Sequence, residues 1–203
     1  NRRRLVRAFV TGLLGGAFDP PHDGHLVLAD EAIRHFRLER LLVVPTGSAP
    51  HKPVETDPRT RYRLAQAAFE NRRSIELSRH EIDLDEPSYT VNTVAWADER
   101  YRDVVFVVGA DEFASFLTWH EPDRVLEHAR LGVATRPGYP RERLDEVLAG
   151  LERPERVELF TIPALPISST DIRDRVRRGE QIDNLVPARV AALIEELGLY
   201  RDS

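Results

Sequence analysis

The sequence predicts an α/β protein: a doubly wound, Rossmann-like parallel sheet with helices on both faces and a small helical region at its C-terminal end. Three observations predict it. Apolar runs of strand length alternate with segments of helical period along the chain. The runs are continuous, as in Val104–Val108, which suits strands buried on both faces. Turns bearing glycine or proline fall where runs stop. Such alternation implies right-handed crossovers and puts a ligand at the carboxyl ends of the strands, near the point where strand order reverses.

Each element has its own signal. Arg7–Leu14 is a mainly apolar run ending at Gly15 and Gly16, a first strand feeding a turn. Leu26, Ala29, Ile33 and Phe36 then recur at helical spacing, one face of a helix that begins near His25. A strand at Leu41–Val44, closed by Pro45, precedes a helix with Asp57 as cap and Pro58 in its first turn. A short strand at Ile75–Leu77, a helix over Thr90–Tyr101 and a central strand at Val104–Val108 follow. Asp111 is placed to cap a short helix running to Phe116, and another helix follows Pro122. Strands are expected at Leu131–Thr135 and Val157–Ile162, with a helix over Glu142–Leu148 between them. Ser168 or Ser169 opens a helix through Val176, and Pro187 starts a last one that Gly198 stops. The expected organisation is one domain over residues 1–203, with a Rossmann-like core (1–165) and a C-terminal helical part (166–203).

Composition narrows the function. The chain has 203 residues, 41% of them hydrophobic, enough for a substantial core. A net charge of -5 gives no global basic field for nucleic acid, so any phosphate binding must be local. No run approaches the roughly 18 apolar residues of a membrane helix, and the first residues do not read as a signal peptide. A cytoplasmic protein without membrane or nucleic-acid partners is expected, as a monomer or as a homo-oligomer. With no Cys, disulfides, thiolate metal sites and cysteine nucleophiles are excluded. Lys52 is the only lysine among 29 Lys plus Arg, which singles it out as a flexible point charge.

The richest segment is Gly15-Gly16-Ala17-Phe18-Asp19-Pro20-Pro21-His22-Asp23-Gly24-His25, between the first strand and the first helix. Glycines allow close backbone approach, and a helix start there presents unpaired N–H groups to an anion. The two histidines add donors. The segment is neither a Walker loop nor the G-x-G-x-x-G fingerprint, and two His three apart without a third ligand do not make a zinc site, so no protein metal site is expected. A second phosphate-ready helix start is Ile167-Ser168-Ser169-Thr170-Asp171-Ile172-Arg173, where a hydroxyl caps the helix and Arg173 adds a fixed cation one turn on. Between them lies Pro45-Thr46-Gly47-Ser48-Ala49-Pro50-His51-Lys52, a loop at the end of the second strand.

The G-x-F-D-P…H-x-G-H and I-S-S-T-x-I-R segments resemble the signatures of the nucleotidyltransferase superfamily. Tyr89-Thr90-Val91-Asn92-Thr93, Gly109-Ala110-Asp111 with Trp119 beyond, Arg136-Pro137-Gly138 and the P-H-K loop extend the resemblance to the bacterial nicotinate-nucleotide adenylyltransferases, over essentially the whole chain. That resemblance implies adenylyl transfer from ATP to nicotinate mononucleotide, with Mg²⁺ accompanying ATP. It assigns catalytic roles to His22, His25, Lys52 and Arg173. Gly15, Gly16, Ala17, Phe18, His22, His25, Gly109, Asp111, Ile167, Ser168, Ser169 and Arg173 would bind ATP. Ser48, Lys52, Tyr89, Thr90, Trp119 and Arg136 would bind the mononucleotide: Trp119 as a flat face for a pyridinium, Thr90 and Thr93 as donors, Arg136 as a phosphate partner. The sequence departs from the family pattern at Ala17, where Thr is usual, and at Ser48-Ala49, where Asn-Pro is usual. Competing readings are nicotinamide mononucleotide or phosphopantetheine as acceptor, a silent nucleotide-binding regulator, and a fragment related to H-x-G-H aminoacyl-tRNA synthetases.

Overall fold

A computed structural model describes residues 9–49 and 54–201. Among them six parallel strands, β1 (Thr11–Gly16), β2 (Arg40–Pro45), β3 (Ile75–Leu77), β4 (Val104–Gly109), β5 (Arg130–Thr135) and β6 (Val157–Thr161), form one sheet in the order β3-β2-β1-β4-β5-β6. The order reverses between β1 and β4, so the loops after these two strands flank the crevice where an open α/β sheet takes its ligand.

The continuous apolar runs are explained by burial on both faces. In β4, Val104, Phe106 and Val108 enter one core, while Val105 and Val107 enter the other; Leu13 and Leu14 of β1 divide in the same way. One face is covered by α1 (Asp23–Phe36), α2 (Pro58–Phe69), α7 (Ser169–Arg177) and α8 (Ala188–Glu196). The other is covered by α3 (Thr90–Asp98), α4 (Ala110–Phe113), α5 (Pro122–His128) and α6 (Arg141–Ala149). The C-terminal helices share the first core: Ile172, Val190, Ile194 and Tyr200 pack with α1 and α2. No described helix is long and apolar enough to cross a membrane.

Local signals place α2 well. The Asp57 carboxylate accepts the N–H groups of Arg59 (3.0 Å) and Thr60 (3.1 Å), and Pro58 sits in the first turn. Several boundaries differ from expectation. Gly15 and Gly16 end β1 and do not lie in the turn, because they pair with Val44 and Pro45 of β2. Helix α1 starts at Asp23, two residues before His25. Helix α3 stops at Asp98; the N–H groups of Arg100 and Tyr101 both turn back to the Ala97 carbonyl. Asp111 does not cap α4. Strand β4 stays hydrogen-bonded to β5 through Gly109, which becomes the cap itself, and the helix ends at Phe113. The beginning of the first expected strand, at Arg7, and Lys52 with its neighbours Pro50 and His51 lie outside the described residues.

Candidate active site

The loop that leaves β1 delivers His22 as the N-cap of α1. The His22 backbone N–H donates to His25 Nδ1 at 3.1 Å. An N–H aimed at Nδ1 requires a lone pair there, so a neutral His25 carries its proton on Nε2 and stays an Nε2–H donor. The two imidazoles lie 3.9 Å apart by centroid, and the edge of Phe18 meets His25 at 5.0 Å. His22 is buried, its Nδ1 has no partner among the described residues, and burial lowers its pKa to about 4. The ring is therefore neutral at pH 7. It lies over Gly24, where a Cβ would sit 2.9 Å from its atoms, which accounts for glycine between the histidines.

Helix α7 starts against the same loop. Ser168 caps it by accepting the Asp171 N–H at 3.1 Å, Ser169 Oγ donates to the Pro20 carbonyl at 2.8 Å, and Arg173 Nη1 donates to the Asp19 carbonyl at 2.8 Å. Two helix starts, capped at His22 and Ser168 and so far apart in sequence, thus meet one loop. Ile167 is half-buried just ahead of this start. Arg173 is not idle: Nε donates to Glu55 Oε1 at 3.0 Å, and Arg177 shares the same carboxylate. Asp19 is buried, accepting from Tyr200 Oη (2.7 Å), Glu55 N (2.9 Å) and Thr56 N (3.3 Å). Burial and the neighbouring Asp19 push the Tyr200 hydroxyl far up, so it remains a donor.

The loop after β2 lies beside α3. Ser88 Oγ accepts the N–H groups of Gly47 (3.1 Å) and Ser48 (3.2 Å), and Ser88 N donates to the Ser48 carbonyl at 2.8 Å. Tyr89 occupies the N-cap position of α3, its ring 4.4 Å from that of His120 and tilted by 34°; Thr90 follows, half-buried. Thr93, contrary to expectation, spends its donors within the protein: its buried hydroxyl donates to Glu81 Oε1 at 2.6 Å and its N–H to the Tyr89 carbonyl at 3.3 Å. Burial pushes the Glu81 carboxyl up. Across the switch point, Gly109 ends β4 and Asp111 is exposed, 3.5 Å from Arg136 at the end of β5. Trp119 is half-buried, set edge-to-face on Phe106 and Phe116. The predicted residues that are described therefore lie at the carboxyl ends of β1, β2, β4 and β5 and at the starts of α3 and α7, with Trp119 just beyond the 116–118 turn.

Four contributors escaped the sequence. Arg61, Glu81 and Tyr200 are buried polar residues of ordinary sequence context, and Glu55 is one acidic residue in a loop. Only the Asp57-Pro58 helix start, which sets Arg61 on the inner face of α2, offered any hint.

Two helix starts facing one loop at a strand-order reversal define the class: an α/β protein built to hold the phosphates of a nucleotide. Comparison takes this further. The cytidylyltransferase-like family matches residues 13–175, and this chain belongs to it. A Moorella thermoacetica relative named "probable nicotinate-nucleotide adenylyltransferase" is 43% identical, over 97% of this chain and 94% of the relative. One of the same name from Desulfitobacterium hafniense is 42% identical, over 94% and 95%. The solved Plasmodium falciparum nicotinic acid mononucleotide adenylyltransferase, complexed with NaAD, superposes with a TM-score of 0.78 at 18% identity, covering 95% of this chain and 97% of that one. At that identity the likeness concerns the fold alone.

Proposed function

We infer that this protein transfers an adenylyl group from ATP to nicotinate mononucleotide, giving nicotinate adenine dinucleotide and pyrophosphate. The observation that carries the reading is the docking of the α7 start, with Arg173, onto the loop that bears His22 and His25. The names of relatives that match nearly the whole chain support the same reaction.

The acceptor phosphate oxygen bonds to the α-phosphorus, the bond to the bridging oxygen breaks, and pyrophosphate leaves with the electron pair. No protein nucleophile takes part. The chain's work is alignment and stabilisation of charge. His25 offers Nε2–H to phosphate oxygens, and a phosphate beside His22 favours its protonated form. Arg173 exchanges Glu55 for phosphate. Lys52 serves the triphosphate, and Ser48, Tyr89, Thr90, Trp119 and Arg136 the mononucleotide. Mg²⁺ arrives with ATP as part of the substrate, held by phosphate oxygens and water. Asp19 is a poor ligand for it, since its carboxylate is buried and takes three hydrogen bonds from the chain. The cytoplasm is the compartment we assign.

The test is pyrophosphate release with MgATP and, separately, nicotinate mononucleotide, nicotinamide mononucleotide or phosphopantetheine. Release is expected with the nicotinate acceptor well above the others. ATP binding without release from any acceptor would refute the assignment and favour a nucleotide-binding regulator.

A further inference from the structure

Arg61, on the first turns of α2, has no exposure to solvent. Its guanidinium donates to three backbone carbonyls: Nε to Thr56 at 3.0 Å, Nη1 to Ala17 at 2.9 Å and Nη2 to Gly47 at 2.9 Å. These acceptors lie in different segments. Ala17 is in the loop after β1, Gly47 in the loop after β2, and Thr56 at the entry to α2. The two loops touch directly through the Thr46 N–H on the Gly16 carbonyl, at 2.9 Å. Ala17 and Gly47 each stand one residue beyond that contact. Both present carbonyls there, and neither can serve the other, so a cationic double donor supplies the missing rung.

The far side of the second loop is gripped as well. Ser88 takes the Gly47 and Ser48 N–H groups, and a Cβ on Gly47 would lie 2.0 Å from the Glu81 carbonyl oxygen. The loop is thus clamped between Arg61 and the segment from Glu81 to Ser88. A buried guanidinium is costly unless well matched. Asp19 first and then Asp57 offset its charge, and the carbonyls take its N–H groups.

We propose that Arg61 is a positioning residue for the transfer, braced by Ser88: it fixes the loop bearing Gly47 and Ser48 relative to the loop bearing His22 and His25, and so sets the spacing between the two substrates. This rests on the adenylyl-transfer reading, because only a reaction between two bound molecules depends on the separation of two loops. Each loop can still bind its own substrate when the clamp loosens. Lysine cannot replace the arginine, since its donors radiate from one nitrogen and cannot span three carbonyls.

The test compares wild type, Arg61→Lys and Ser88→Ala in binding and turnover. Kd for ATP alone and for nicotinate mononucleotide alone is measured by calorimetry, which also counts binding-competent sites, and kcat is expressed per site. Expected are Kd values within about twofold of wild type, while kcat per site falls on the order of tenfold to a hundredfold for Arg61→Lys, as for small misplacements of reactants. Ser88→Ala should give a smaller loss of the same kind, and it alone decides the matter if Arg61→Lys does not fold. A purely structural role would remove sites while leaving kcat per site unchanged, and that result overturns the proposal. Wild-type protein that releases no pyrophosphate refutes the reaction itself, which separates the two failures.

Discussion

Acid should loosen this protein through His22, by an amount that follows from its burial. In the unfolded chain the imidazole titrates near its ordinary value of 6.5, while in the fold its pKa is about 4. Between these values the unfolded chain binds the extra proton, so stability is intact above pH 6.5 and is lost as pH falls through the window. Across the whole window the loss is about 3 kcal/mol, and about 2 kcal/mol of it should have gone by pH 5, at 1.36 kcal/mol per pKa unit. The measurement is a set of urea melts at pH 7, 6 and 5 on wild type and on His22→Asn, which does not titrate there. Other ionisable groups, His80 included, are common to both proteins and cancel in the difference. Wild type should lose about 2 kcal/mol more than the variant between pH 7 and pH 5. Parallel pH profiles would refute the reasoning and mean that water reaches the ring.

Two further outcomes follow from the site. His25→Ala should lower kcat at saturating ATP by about 100-fold, the usual cost of one lost transition-state donor, while the protein still folds, less stable by about 1 kcal/mol because the His22 N–H loses its acceptor; turnover equal to wild type would remove His25 from the reaction. Glu55→Gln weakens the hold on Arg173, and because the pair is partly solvent-exposed the gain is at most about 1 kcal/mol. ATP should therefore bind up to about fivefold more tightly in a direct titration, and an unchanged or weaker Kd would show that Arg173 does not exchange partners.

The sheet was legible because its strands are buried on both faces: continuous apolar runs such as Val104–Val108 are hard to place anywhere else. The helix starts at His22, Asp57 and Ser168 were legible within a residue or two, since capping is local chemistry. What could not be read was the pairing of distant polar groups. Nothing in the order of residues says that Tyr200 donates to Asp19, or that Thr93 faces Glu81 and not a ligand. Asp111 illustrates the converse. Its residue type suits a cap, but ladder bonding of Gly109 to β5 decides where the helix begins.

The departures from the family pattern have a physical explanation in the same contacts. Ala17 lacks the usual hydroxyl, yet what the fold uses at that position is its carbonyl, which accepts from Arg61. Ser48 replaces an amide side chain, yet its structural bonds run through backbone: its N–H to Ser88 Oγ, and its carbonyl to Ser88 N–H. Backbone contacts survive almost any side chain that the local conformation admits, whereas Gly47, where no Cβ fits, does not have that freedom. Loops anchored through their carbonyls and N–H groups can thus vary in sequence while holding their spacing. The positions that cannot vary are the ones that supply the anchors, Arg61 first among them.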